Sequence, residues 1–431
     1  VAVWFARRTG RVFNLRTLLL ANYIVVSLVS GVVHLMSLRN VSRGFFDVLS
    51  GSADTLIVAT LGSILGLVAL VAGCMIGLPR SRASRNRVQL AMSRAERWVA
   101  VIVLAVILPL WLLGAYTIRN YAANIDSARI TTFDGGLARY VFFSNWGVWV
   151  FTLGALLLIS FPRFQRSIPA SVVAGLAVVA SAFSLSWNGG RSIVLVMTLP
   201  LFLVVWPTLR RIRWLLIPAA IAVGFSYLIA ISTERSRGAA SESSWLTWLD
   251  WEWGRYSMLG FAESYVSQFG FTGGETLFAA VTNVSLGLAR LVGIPLSNPD
   301  LRSMPEITGQ YILGSADTYV VGGLSSELYI NFGYAGIAVG YLLLGLAVGF
   351  VDRRFAASQS VLVQLFWAYL GSLLILRTLA ADANALGGYL LYSGLPVLVA
   401  ALVAAAMPGE RAPNRRSSLR DERRLADRLN A

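Results

Sequence analysis

Residues 314–349 read GSADTYVVGGLSSELYINFGYAGIAVGYLLLGLAVG. A polar approach carrying Asp317 and Glu327 runs into a glycine-punctuated apolar segment long enough to enter a bilayer. Residues 233–333, before that segment, are mostly too polar to span. Chemistry therefore has a natural place at this junction, and the rest of the chain must set it in a membrane.

Composition agrees. The chain is 56% apolar and 13% charged, with a mean hydropathy of +0.67, the balance of a polytopic helical membrane protein. Barrel strands alternate apolar and polar residues, whereas VIVLAVILPLWLLGAY from Val101 is apolar on every face. The single cysteine, Cys74, allows neither an internal disulfide nor a multi-thiolate metal site. One histidine, His34, excludes an HExxH pair and would have to serve any Ser/His/Asp triad. Carboxylates would be the main ligands of any metal, and neither metal nor other cofactor is expected. Every basic residue is arginine, which removes the lysine a Walker A loop needs.

Apolar runs at 18–38, 55–78, 98–117, 141–161, 168–187, 192–207, 215–232, 334–351, 361–380 and 386–407 are each near the length of a crossing helix. The fold class expected is all-α, a polytopic integral membrane bundle of about ten transmembrane helices. Arginines cluster in alternate links: Arg7 to Arg16, Arg80 to Arg97, Arg163 and Arg166, Arg210 to Arg213, Arg353 and Arg354, and the tail from Arg411. By the positive-inside rule these are cytoplasmic. The assignment leaves +18 inside and −3 outside, so the net charge of +15 follows topology rather than nucleic-acid binding. Both termini are then cytoplasmic, and the first apolar run reads as an uncleaved span, being long for a signal peptide.

Four regions follow: spans 1–7 over 1–232, a large outer loop with interfacial helices over 233–333, spans 8–10 over 334–407, and a basic tail over 408–431 that anchors topology near anionic lipid. A loop as long as 233–333 is generally functional. Within it Thr276 to Ile294 reads as interfacial or re-entrant, because one extra crossing would export the tail, and Asn283 and Arg290 interrupt the run. Trp245, Trp248, Trp251 and Trp253 stand beside Asp250, Glu252 and Arg255, a grouping that suits either sugar faces or a headgroup belt.

Three places offer chemistry. Trp187-Asn-Gly-Gly-Arg191 makes a tight outer hairpin whose guanidinium fits a diphosphate or snorkels to headgroups. Arg377, near the outer end of the ninth span, either pairs with Asp382 or binds an anionic substrate group. Glu327 and Asp317 are the carboxylates nearest a membrane-entering helix, where one could take a proton from an attacking hydroxyl or simply face the helix dipole.

With these residues in hand, the chain resembles the bacterial oligosaccharide repeat-unit polymerases, the Wzy-type O-antigen polymerases, and more distantly the O-antigen ligases. Ser325-Ser-Glu-Leu-Tyr-Ile-Asn-Phe-Gly-Tyr-Ala-Gly336 is similar to the polymerases' small-x-GELY-x-NFG-x-x-G entry to a late helix. Asn-Gly-Gly-Arg191-Ser is similar to their glycine/serine-arginine turn, and Leu-Arg377-Thr-Leu-Ala-Ala-Asp382 resembles the arginine-bearing outer end of a penultimate helix. Ser326 stands where the family pattern has a glycine, and no histidine lies between Thr233 and Gly333, where the ligases carry one.

The resemblance implies a GT-C type glycosyltransferase of the bacterial cytoplasmic membrane. Such an enzyme moves a growing glycan from an undecaprenyl-diphosphate carrier onto a lipid-linked repeat unit at the outer face, without metal or nucleotide sugar. Under it Arg191, Arg377 and Arg255 bind diphosphate, Glu327 or Asp317 is the base, and Trp251, Trp253, Glu263 and Tyr329 contact sugar. A chain-length regulator joins the implied partners, with membrane lipid and the lipid-linked oligosaccharide. The competing readings are another polyprenyl-linked-sugar glycosyltransferase, a glycan ligase, or a lipid-linked glycan transporter, the last predicting ionisable residues near span midpoints and broken helices.

Overall fold

The computed structural model describes residues 14–29, 31–32, 53–76, 92–122, 143–160, 175, 199–206, 256–291, 300–314, 322–380 and 382–407. Among these every regular element is helical. Among the described residues three helices are long and apolar enough to cross a membrane: Asp54–Ile76, Arg94–Thr117 and Leu324–Ala357. Shorter apolar helices cover Leu15–Val29, Gly147–Leu158, Val361–Leu376 and Leu395–Ala406. The runs expected at 168–187 and 215–232 lie outside the described residues except for Gly175, and 192–207 is helical over 199–205.

Helix α1 (Leu15–Tyr23) starts where Asn14 Oδ1 accepts the Thr17 N–H at 2.8 Å and its hydroxyl at 3.0 Å, then widens into a π-helical turn at Ile24–Val29. Helices α2 (Ala53–Ile76), α3 (Arg94–Ala122) and α4 (Gly147–Ser160) follow. In the second half come α5 (Tyr256–Phe269), α6 (Glu275–Leu291), α7 (Met304–Leu313), α8 (Leu324–Ala357) and α9 (Val361–Ala380). The last described elements are the short α10 (Ala383–Gly388), a π-helical turn at Tyr389–Ser393 and α11 (Leu395–Ala406).

The seam of the bundle is α2 against α8, and glycine makes it possible. A Cβ at Gly73 would lie 2.2 Å from the Leu342 carbonyl oxygen, and one at Gly345 would lie 2.6 Å from that of Leu70. Backbones approach this closely in membranes only where side chains are small. α1 joins the same seam at both ends: Arg16 and Leu15 bond to Asp352 and Gly349 near the end of α8, and Tyr23 packs edge-on against Tyr341 at 5.1 Å. Across the bundle, Trp149 of α4 stacks edge-on with Tyr369 of α9 at 4.6 Å and donates its indole N–H to the Ser393 carbonyl.

Two helices packed against α2 begin inside the region read as the outer loop. α8 begins at Leu324 rather than 334, ten residues inside the region read as outer loop. Its first turns are polar, so hydropathy hides them, and Gly333 (φ 63°, ψ −148°) breaks the rod where the apolar run starts. That break matters for length, since 34 residues would extend ~51 Å against a ~30 Å hydrocarbon core. The second is α5, which lies within the same region yet buries Met258, Leu259, Phe261 and Ala262. Leu259 reaches Gly62 of α2, and Tyr256 bonds Thr60 at 2.6 Å. α5 is thereby fastened to a helix long enough to span.

Candidate functional site

The polar opening of α8 sits between α5, α6 and α10. The connection from α5 to α6, Gly270-Phe-Thr-Gly-Gly274, uses left-handed backbone at Gly270, Gly273 and Gly274 (φ 79°, 63° and 101°). This turn lays Thr272, Gly274 and Thr276 against residues 327–331. The Thr272 N–H donates to the Ile330 carbonyl at 3.0 Å, next to the break at Gly333.

Asn331 stitches the two segments together. Its amide nitrogen donates to the Glu327 carbonyl at 2.6 Å and to Thr276 Oγ1 at 2.7 Å. Its amide oxygen accepts the Thr272 hydroxyl at 2.7 Å and the Gly274 N–H at 2.8 Å. Both hydrogens and both lone pairs of the amide are used, so a buried polar side chain is fully satisfied.

Glu327 is 0% exposed. Its Oε1 accepts the Thr276 hydroxyl at 3.0 Å and its Oε2 accepts the Ala383 N–H at 2.7 Å. One carboxylate therefore ties α8 to the start of α6 and to the start of α10, with buried Asp382 directly alongside Ala383. Ser326 turns its hydroxyl back to the Gly322 carbonyl at 3.0 Å, and Ser325 shares a 2.5 Å bond with Tyr341, about two turns beyond the break.

At the rim of this polar knot the Tyr329 phenol donates to Glu263 Oε2 at 2.5 Å. Tyr334 stacks edge-on against Tyr329 at 5.3 Å, and Phe271 lies at 6.4 Å. Glu263 is half-buried, while Phe271 is 58% exposed, so the pair borders an open aromatic surface. A carboxylate beside accessible rings is an arrangement that hydrogen-bonds a sugar hydroxyl and covers a sugar face.

Farther out, Glu275 at the start of α6 pairs with Arg302 at 3.2 Å and also accepts the Arg302 backbone N–H at 2.9 Å. Partial burial pushes the Glu275 carboxyl up, but the hydrogen bonds and charge of Arg302 outweigh it and hold the group below its ordinary range. The same hydrogen bond raises Arg302.

Of the residues singled out from sequence, Glu327, Glu263 and Tyr329 come together on α8 and α5. Arg377 lies on the last turn of α9, five residues before Asp382, with its side chain outside the described residues. Asp317, Arg191, Arg255, Trp251, Trp253 and His34 also fall outside them. Thr272, Thr276 and Asn331 were not singled out. Their signal is the pair Thr-Gly-Gly and Asn-Phe-Gly, two short polar-glycine motifs whose partnership only the fold reveals.

Comparison with known proteins returns no matching family model, no matching curated protein and no matching solved structure.

Proposed function

We propose that the chain is a membrane-embedded glycan polymerase of the bacterial cytoplasmic membrane, with about ten spans and both termini cytoplasmic. It transfers a growing oligosaccharide from an undecaprenyl-diphosphate carrier onto a lipid-linked repeat unit at the outer face. The observation that supports this reading is the polar opening of α8. There a helix long enough to cross the membrane begins as a buried, hydrogen-bonded carboxylate knot with a half-open Glu263–Tyr329 pair at its rim.

In this reading Glu263, the carboxylate of the knot that is partly open, accepts the proton of the attacking sugar hydroxyl. Phe271 and Tyr334 cover the sugar. Arg377, with Arg191, holds the departing diphosphate, a leaving group that needs no general acid once its charge is stabilised. Neither a nucleotide nor a nucleic acid takes part.

The test is reconstitution of the purified chain with a diphosphate-linked repeat unit and sizing of the products. A ladder of lengthened glycans without nucleotide sugar is the expected result. Its absence across several repeat units sinks the reading.

A lipid-linked glycan transporter is the second reading, favoured by the break of α8 at Gly333, since broken helices frame the sites of many transporters. Movement of a fluorescent lipid-linked oligosaccharide between leaflets without lengthening would select it.

A further inference from the structure

Glu327 has the sequence position of a catalytic base and the surroundings of something else. A base must come within hydrogen-bond reach of the proton it removes. Both oxygens of Glu327 are already occupied, one by the Thr276 hydroxyl and one by the Ala383 N–H, and the residue is 0% exposed. Each oxygen keeps a second lone pair, but with no surface exposed a substrate hydroxyl could reach it only by parting α8 from α6 and α10.

The identity of those donors points to a different task. Ala383 is the first residue of α10, and its N–H is one of the first-turn donors that a helix cannot satisfy internally. Asp382, the preceding residue, accepts the Leu386 N–H at 3.0 Å with its backbone carbonyl. The acceptor for Ala383 comes from 56 positions away in the chain. On the other flank of the same corner, Asn22 of α1 donates to the Ile375 carbonyl at 2.7 Å. Arg377 lies between these two anchors, on the final turn of α9.

We infer that Glu327 is a positioning residue: it clamps the α9–α10 corner to the start of α6 and so fixes the backbone from which Arg377 projects. The inference rests on the polymerase reading only where it makes Arg377 a diphosphate ligand. The clamp itself requires an acceptor, not a charge. Glutamine keeps an acceptor for Ala383 on its Oε1; its Nε2 then donates to Thr276 Oγ1, whose own proton turns to another acceptor. Alanine supplies none.

The test pairs two measurements on the full chain in lipid nanodiscs. In the first, amide exchange is followed by mass spectrometry over peptides covering 382–390. Wild type and Glu327→Gln are expected to be equally protected, and Glu327→Ala to exchange faster there. Thr276→Val, which removes one donor and leaves the carboxylate, is expected to shift the same peptides to a smaller degree and stands in if the alanine variant does not insert. Unchanged protection in every variant that inserts overturns the clamp.

In the second, steady-state elongation is measured with the lipid-diphosphate donor varied. Glu327→Gln is expected to stay close to wild type in kcat and KM, and Glu327→Ala or Thr276→Val to lose kcat/KM. A shift of about 1 Å in a positioning group costs about 100-fold, the loss expected for alanine. An inactive Glu327→Gln with α10 still protected overturns the inference in favour of a base. If wild type forms no ladder at all, the polymerase reading falls and the exchange measurement alone decides the clamp.

Discussion

Glu96 and Ser360, 264 positions apart, share a 2.5 Å hydrogen bond that lets one carboxylate start two helices. Glu96 Oε2 accepts the Ser93 N–H at 2.8 Å while Ser93 Oγ accepts the Glu96 N–H at 3.1 Å, a reciprocal cap on α3. Its Oε1 also accepts the N–H of Val361, the first residue of α9, at 2.8 Å. Both helix openings are thus satisfied by one buried side chain.

Glu96→Ala is expected to cost more than an ordinary cap, because each lost cap is worth about 1–2 kcal/mol. Ser360→Ala should cost less, and the double variant should fall short of the sum. Thermal midpoints in detergent for the two singles and the double test this; strictly additive losses would show that the two caps are independent.

The Arg16–Asp352 pair makes a prediction about buried charge. Arg16 is fully buried and Asp352 nearly so, at 3.6 Å. Removing one partner strands the other, at about 3–5 kcal/mol. Arg16→Met and Asp352→Leu should each lower the thermal midpoint sharply, and the double variant should recover much of the loss. A double variant worse than either single would contradict this.

Gly73→Ala tests the seam between α2 and α8. The new methyl would sit 2.2 Å from a backbone oxygen, so the helices must separate. About 1–3 kcal/mol is expected, the usual range for overpacking. Gly175→Ala, whose added methyl meets no atom of the described residues, is the control and should not destabilise.

The Glu275–Arg302 pair predicts a pH effect. The Glu275 carboxyl is held below its ordinary range, so its contribution is present above the usual carboxylate pKa of about 4.3 and is lost as pH falls through the lowered value. Arg302 is 53% exposed, so solvent screening limits the effect to under about 1 kcal/mol. The protection factor in the first turn of α6, taken relative to intrinsic exchange at the same pH, should fall on acidification below about pH 4 in wild type, and Arg302→Ala should show that lower protection already at neutral pH. No difference between the two at neutral pH would remove the pair from the account.

α6 exposes Phe278 at 68% and Val281 at 67%, one turn apart. Phe278 and Phe332 both approach the same point on Gly274, so this face runs into the exposed stripe of α8 at Phe332, Val339 and Leu343. Because the lone Cys74 is buried, Phe278→Cys can be labelled selectively. A fluorophore there is expected to be quenched by nitroxide-bearing lipid, and one at Gln268, on the exposed end of α5, much less. Equal quenching at both sites would contradict an interfacial α6.

The apolar part of α8 was legible because every residue over its spanning length is compatible with lipid. Its polar beginning was not, since Ser325, Ser326, Glu327 and Asn331 are held in a helix by partners from elsewhere in the chain. Thr272 is 59 residues from Asn331, and Glu263 is 66 residues from Tyr329. Each member of the Glu263–Tyr329 pair was named as a candidate sugar contact, but the bond between them depends on α5 packing against α2. The helix at Glu275–Leu291 was legible from the run Thr276 to Ile294, while Thr276 itself gave no sign of its bond to Glu327. Close glycine contacts such as Gly73 with Leu342 are likewise written in two distant places.

The bond between Arg16 and the end of α8 also sets a timetable. α1 is made before α8, and the acceptor for its buried guanidinium at Gly349 follows 333 residues later. At about 5–20 residues per second that interval is roughly 20–70 s. Arg16 can make that contact only once α8 exists, so the docking of α1 onto α8 waits for the synthesis of everything between them.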